Sequence, residues 1–332
     1  MRKHLLLLVV LFALSAQLAK ADTYYPRKIV MEEATGTWCG WCVRGIETIE
    51  RMSKQYPDNF IAIGLHSGDE MSNPVNYEPI TGMFRSYPNC LFNRSVNGPV
   101  SVSLYAAQNT IEELKDQGIA MIEATAAFAD ASRNQVKVST NTTFGFTSSS
   151  ADYKIAYVVL EDNVGPYRQS NYYSGNSDYD DPNHYMYEWV LIDSYPLITF
   201  NDVARGIFGS ADGVAGSVPS SVTEGQACSY EYTFELPDNI SNKDNLRIVT
   251  LLIDSNTGEI VNADQVALEG GSGEGGGKGD INEDGKVNGT DIQTVINVIV
   301  DEDYVEAADV NNDGKVNGTD IQEIINIIVE EE

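Results

Sequence analysis

The chain has 332 residues, with 49 Asp and Glu against 21 Lys and Arg, and a formal net charge of −28. An excess of that size repels nucleic acid and anionic membrane surfaces, so cations, neutral molecules and other proteins are the ligands it admits. With four cysteines, three histidines and one C-x-x-C, the composition gives no second ligand pair for a structural zinc.

From the N-terminus, MRKHLLLLVVLFALSAQLAKAD sets Arg2 and Lys3 before an apolar run from Leu5 to Leu14, then Ala19-Lys20-Ala21. A basic start, a short apolar run and a small-residue site make a secretory signal peptide, expected over residues 1–21 with cleavage before Asp22. The run is too short to cross a bilayer comfortably, and no cysteine follows it to carry a lipid. The mature chain is therefore expected to be secreted, with no transmembrane segment.

The next element is a short strand at Lys28-Ile29-Val30-Met31, followed by TGTWCGWCVRG and a helix with Val43, Ile46, Ile49 and Met52 on one side. A C-x-x-C where a strand hands over to a helix is a redox arrangement, because the helix N-terminus stabilises a thiolate on the first sulfur. Cys39 is the expected attacking thiolate and Cys42 the resolving one. Phe60 to His66 reads as a buried strand, and in SYPNCLFNR Pro88 precedes another apolar stretch. This order resembles a thioredoxin fold over residues 22–120. The resemblance implies a cis-proline at Pro88 facing the cysteines, and a carboxylate six residues before Cys39, Glu33, as proton acceptor for Cys42. The other reading is a permanent disulfide that pins the first helical turn. Cys90, two residues after Pro88, is expected as a buried free thiol, the alternative being a place near the pair where it traps mixed disulfides, and Cys228 as a core residue.

From about Gly118 alternation replaces helical spacing, at Val136–Ser139, Tyr153–Leu160, Ser229–Phe234 and Leu246–Ile253. Strands separated by Asn, Asp, Gly and Ser predict an all-β sandwich over residues 121–268. The insert Asn171–Trp189 crowds tyrosines with Asp178, Asp180, Asp181 and His184 and reads as a solvated loop anchored by its rings. The segments EEATGTWCGWCVRG, HSGDEM and YPNCLFNR together resemble the Omp28-related outer-membrane proteins of Bacteroidetes, over about Asp22 to Leu268. That resemblance implies a thioredoxin-like half followed by a β-rich half, in the periplasm, outer membrane or cell surface of a Gram-negative bacterium.

EGGSGEGGGKG, residues 269–279, has nothing apolar to pack and reads as a flexible linker. Beyond it, residues 280–332 carry fifteen acids against two lysines. GKVNGTDIQ occurs twice there, at Gly285–Gln293 and Gly314–Gln322, overlapping the segments DINEDGKVNGTD (Asp280–Asp291) and DVNNDGKVNGTD (Asp309–Asp320). Oxygen-bearing side chains at positions 1, 3, 5, 9 and 12, with glycine at 6, follow the ligand order of a calcium loop. The expected ligands are Asp280, Asn282, Asp284, the carbonyl of Lys286, Asn288 and Asp291, then Asp309, Asn311, Asp313, the carbonyl of Lys315, Asn317 and Asp320, for two calcium ions. Each loop runs into an apolar-periodic helix, through Ile292, Val295, Ile296 and Ile299 or Ile321, Ile324, Ile325 and Ile328. A loop followed by a single helix, with Asp at position 12, resembles a type I dockerin. The resemblance implies a small α-helical, EF-hand-like module that binds a cohesin-type partner, with Gly289-Thr290 and Gly318-Thr319 at the recognition positions.

Two functions stand beside each other: a thiol–disulfide oxidoreductase tethered by the dockerin, and a non-catalytic surface-binding or scaffold subunit of a polysaccharide-degrading assembly. No G-x-S-x-G, zincin or phosphate-loop motif is present.

Overall fold

IVMEEAT forms β1 (Ile29–Thr35), a strand buried along its whole length, as β-branched and apolar residues with both faces covered require. The computed structural model describes residues 23–268 and, toward the C-terminus, 279, 281, 287, 289–300, 305, 308–311 and 313–330. The expected signal peptide and nearly all of the expected linker lie outside the described residues.

After β1 come α1 (Val43–Gln55), β2 (Phe60–His66), α2 (Glu78–Thr81), β3 (Asn89–Phe92), β4 (Val100–Ser101) and α3 (Leu104–Leu114). β5 (Ala120–Phe128), β6 (Gln135–Phe144), β7 (Tyr153–Glu161), β8 (Val164–Arg168), α4 (Tyr187–Leu191), β9 (Leu197–Phe200) and β10 (Val203–Phe208) follow. β11 (Ala227–Glu235), β12 (Leu246–Asp254), β13 (Ile260–Ala267), α5 (Gly289–Val300) and α6 (Gly318–Glu330) complete the order. The chain is mostly β with few helices.

β1 and β2 are parallel neighbours joined through α1, and β3 returns antiparallel on the other side of β1. This group continues into one eight-stranded sheet, in the order β13-β12-β7-β10-β2-β1-β3-β4, so strands from both sides of residue 120 share it. The joint is Val203 of β10 beside Gly64 of β2. Strand alternation divides the side chains between two faces. Ile29 and Met31 turn toward α1 and α3 with Met52, Ala62 and Ile111, while Val30, Ile61, Ile63 and Leu65 pack on the opposite face with Tyr77 and Leu91. A second sheet, β11-β6-β5, is antiparallel and lays Val136, Val138 and Phe234 on Tyr157, Val159 and Ile248 of β7 and β12. The alternation along β6, buried at every second residue, is the pattern expected of a strand with one covered face.

In the C-terminal segment α5 and α6 pack through Val295 and Ile324, with Ile281, Ala308 and Val310 closing a small core. Ile296 and Ile325, in the same place on their helices, remain exposed.

Candidate functional site

Cys39 and Cys42 form a disulfide with Cα atoms 5.3 Å apart. Cys42 occupies the N-cap of α1 and is fully buried, and Cys39 is 5 % exposed. Trp38, just before the pair, and Trp41, between its two cysteines, are exposed. Trp38 meets Tyr87 edge-on at 5.3 Å, which sets the Tyr87–Pro88 peptide beside the cysteine loop. That peptide is cis and Pro88 is buried.

Glu32 and Glu33 are adjacent on β1 and point to opposite faces. Glu32 receives Arg94 Nη2 at 2.7 Å and the Tyr77 hydroxyl at 3.2 Å, which compensates its burial. Glu33 is 2 % exposed, and its Oε1 has no hydrogen-bond partner. It fits beneath α1 because residue 45 is glycine: a Cβ there would stand 1.7 Å from Glu33 Oε1. Gly45 lies one turn after Cys42 and donates its N–H to the Cys42 carbonyl, so the carboxyl and Cys42 share one face of the helix. Burial raises the Glu33 carboxyl to about 8, with the Arg44 charge lowering it and Asp202 adding to the rise.

Glu33 lines a cavity of about 490 Å³ between α1, β1, β2 and β9, walled by Ile46, Ile49 and Phe200. Gly64, beside Glu33 in the register of β1 and β2, leaves its floor open. Two residues on, His66 faces the same side; its Nδ1 lies 2.8 Å from Asp69 Oδ2, and its ring meets Phe200 edge-on. Burial works against ionisation of Asp69, but the bond to His66 and the backbone N–H groups of Thr37 and Met71 bring its carboxyl below the ordinary value. Cys90, opposite Glu33 on β3, is buried and its thiol is pushed far up by burial, then by the Glu33 charge. It is therefore a poor nucleophile.

The insert after β8 lies over the cysteine loop. Ser170 N–H donates to Thr37 O at 2.7 Å, Gln169 Nε2 to Cys39 O at 3.0 Å and Tyr172 N–H to Gly40 O at 3.0 Å. Gly40 admits the strap, since a Cβ would stand 2.3 Å from the Tyr172 ring. Tyr173, Met186 and Trp189 anchor the insert on Val43, and Trp189 Nε1 donates to Glu47 at 2.9 Å. Cys228 is half-buried on the inner side of β11.

Of the first acidic loop, Asp280, Asn282, Asp284, Lys286 and Asn288 lie outside the described residues. Asp291 is buried and accepts Ile281 N–H at 2.8 Å. In the second loop the carboxylate of Asp309 accepts Asp313 N–H at 3.0 Å and Gly314 N–H at 2.8 Å, and that of Asp320 accepts Asn311 N–H at 3.2 Å and Asn317 N–H at 2.9 Å. Gly314 takes φ +84°, the left-handed turn that a side chain resists. These bonds wind the loop, with Asp309 and Asp320 buried, so its donors are hard oxygens on a curved backbone, a chemistry that suits calcium. Among the described residues no three His, Cys, Asp or Glu side chains are clustered to hold a metal. Gly289, Thr290, Gly318 and Thr319 are all exposed where α5 and α6 begin.

The family described as Outer membrane protein Omp28 matches residues 83–271, more than half of the chain, and the Dockerin type I domain matches residues 278–329. The Omp28 match begins past Cys39 and Cys42. No curated protein matches the chain. Among solved structures, HBP35 of Porphyromonas gingivalis is 14 % identical, covering 76 % of this chain and 79 % of its own, at a TM-score of 0.49. A protein of Agrobacterium tumefaciens is 13 % identical over 75 % of this chain and 98 % of its own, at 0.41. A domain of the outer membrane lipoprotein Omp28 from Porphyromonas gingivalis is 17 % identical over 47 % and 92 %, at 0.26. Among the described residues, no helix is long and apolar enough to cross a membrane.

Proposed function

Because the chain belongs to the Omp28 outer membrane protein family and ends in a type I dockerin, we propose that it is an envelope or extracellular thiol–disulfide exchange protein, docked by calcium onto a cohesin-type partner. The single observation that carries the exchange reading is Glu33. A disulfide that only pins a helix has no use for a buried carboxyl without a hydrogen-bond partner one helical turn from Cys42, and such a group costs stability.

Residues 22–120 act as a thioredoxin-like half, completed by the strands that residues 121–268 add to its sheet. The Cys39 thiolate, at the N-terminus of α1, attacks one sulfur of a substrate disulfide and expels the other as a thiolate. Cys42 gives its proton to Glu33 and attacks Cys39 Sγ. The Cys39–Cys42 bond forms and the second substrate thiolate leaves. An external dithiol returns the pair to the reduced form. The cis peptide before Pro88, beside Trp38, lines the side from which a substrate chain approaches.

In the tail, two calcium ions would be held by the ligand sets of residues 280–291 and 309–320, supplying charge that holds the acidic loops in their wound form. Gly289-Thr290 and Gly318-Thr319, with the helices they open, would present equivalent surfaces to the partner.

A second reading keeps the disulfide structural and the protein a scaffold subunit. It is favoured by the strap, which satisfies the cysteine-loop carbonyls and leaves Cys39 only 5 % exposed. Turnover of insulin disulfides by the full chain in calcium, compared with Cys39→Ser, decides between them. Catalysis that disappears in the variant supports exchange, and no catalysis in either leaves the scaffold. A pull-down through the tail, with calcium and with chelator, tests the docking.

A further inference from the structure

A proton passed from Cys42 to Glu33 must still reach solvent, and Glu33 is 2 % exposed. The charged and titratable groups around it come from each packed element. α1 brings Arg44 and, farther along, Glu50 and Lys54; β3 brings Cys90; β10 is preceded by Asp202; β2 brings His66. Lys54 and Glu50 hold each other at 2.6 Å, and Asp202 is held by Arg247 at 2.7 Å. Cys90 faces the carboxyl from a closed, apolar core.

His66 differs from all of these. Its Nδ1 is fixed by Asp69, which leaves Nε2 for another partner. The ring edge bearing Nε2 is turned toward Gly64, since His66 Cδ2 lies 3.9 Å from where a Gly64 Cβ would stand. Gly64 is the residue paired with Glu33, so carboxyl and imidazole look into the same cavity across a position with no side chain. His66 also borders a second cavity of about 340 Å³, reaching Glu78 and Tyr87 on the other side of the sheet end.

We propose that His66, oriented by Asp69, is the proton-exchange group of Glu33 and, through it, of Cys42, with the cavity between them as the proton path. This rests on the exchange reading. As the pair oxidises, the Cys42 thiol gives its proton to the Glu33 carboxylate, the carboxylic acid passes it to His66 Nε2, and the imidazolium releases it to water. On reduction the same proton returns. No electron moves in these steps, and Asp69 stays ionised throughout, so it acts only to position the ring.

The test uses the full chain in calcium. Single-turnover oxidation of the reduced pair by excess oxidised glutathione, which is reduced to two glutathione thiols, is followed through the fluorescence of Trp38 and Trp41 between pH 6 and 8, for wild type, His66→Ala and His66→Gln. Both variants are expected to oxidise about tenfold more slowly, with the equilibrium potential unchanged and a larger solvent deuterium effect. Imidazole in the buffer should restore His66→Ala toward the wild-type rate by entering the space the ring vacates. A variant rate equal to wild type would overturn the relay. So would a loss accompanied by an equal move of the potential, or one that imidazole leaves untouched. Independently of turnover, the ¹³C carboxyl resonance of Glu33 in the oxidised protein reports proton exchange: a single averaged line across its titration in wild type, two separate lines in His66→Ala. Identical line shapes would refute the relay. Separate lines in the variant, with no exchange of disulfides by wild type, would remove the redox reading and leave the proton path standing.

Discussion

Glu33→Gln tests the buried carboxyl directly, because glutamine has the shape of the neutral acid and cannot ionise. Unfolded, the carboxyl loses its proton near its ordinary 4.5; folded, burial first, and then Asp202 against Arg44, holds it until about 8. Between those values the folded chain keeps a proton that the unfolded chain has released. The stability this group contributes is therefore complete below about 4.5 and is lost as pH rises to about 8. The slope is about 1.4 kcal/mol per pH unit, and the whole loss roughly 5 kcal/mol. The assay is urea unfolding at pH 4 to 9, with the disulfide intact and calcium present, read as Glu33→Gln minus wild type so that other titrating groups cancel. The variant should gain on wild type steadily from pH 4.5 to 8 and then level off. A flat difference curve, or wild type gaining as pH rises, would refute the buried neutral acid.

Gly45→Ala should destabilise the protein by about 2 kcal/mol, since its Cβ would stand 1.7 Å from Glu33 Oε1 in a closed space; thermal melts should show Glu33→Ala restoring the loss. Tyr172→Ala removes the ring that lies on Gly40, and reduction of the Cys39–Cys42 bond by dithiothreitol should quicken about tenfold as access opens; an unchanged rate would mean that the strap does not limit access. Asp320→Ala deprives the part-buried N–H groups of Asn311 and Asn317 of their acceptor, at about 1 kcal/mol for each. Calorimetry on the full chain should show a weakened calcium heat, and circular dichroism a loss of helix even with the ion present.

What could be read from the sequence was local. Phe60–His66 announces β2 because a strand covered on both faces needs an uninterrupted apolar run, and α1 follows from Val43, Ile46, Ile49 and Met52. The spacing of oxygen ligands shows the two acidic loops without any fold. The surroundings of the disulfide were hidden, because they depend on distant partners: Gln169 reaches Cys39 across 130 positions. Gly45 carries no signal of its own until Glu33 is known to lie beneath it. HSGDEM contains His66 and Asp69 at a spacing of three, which could have suggested their pairing. VARGIF, with Arg205 and Gly206 in its middle, conceals that β10 joins β2, because Arg205 is buried only by virtue of Glu161 at 2.6 Å. The resemblance to Omp28 proteins rests on residues around the cysteines, whereas the family match begins at residue 83 and runs through the β-rich half.

The reduction potential of the Cys39–Cys42 pair, measured on the full chain by equilibration against glutathione and dithiothreitol buffers, bears most directly on whether this protein exchanges disulfides. A value within the range of exchange proteins, about −120 to −270 mV, is expected. A value below about −300 mV, where structural disulfides lie, would contradict it.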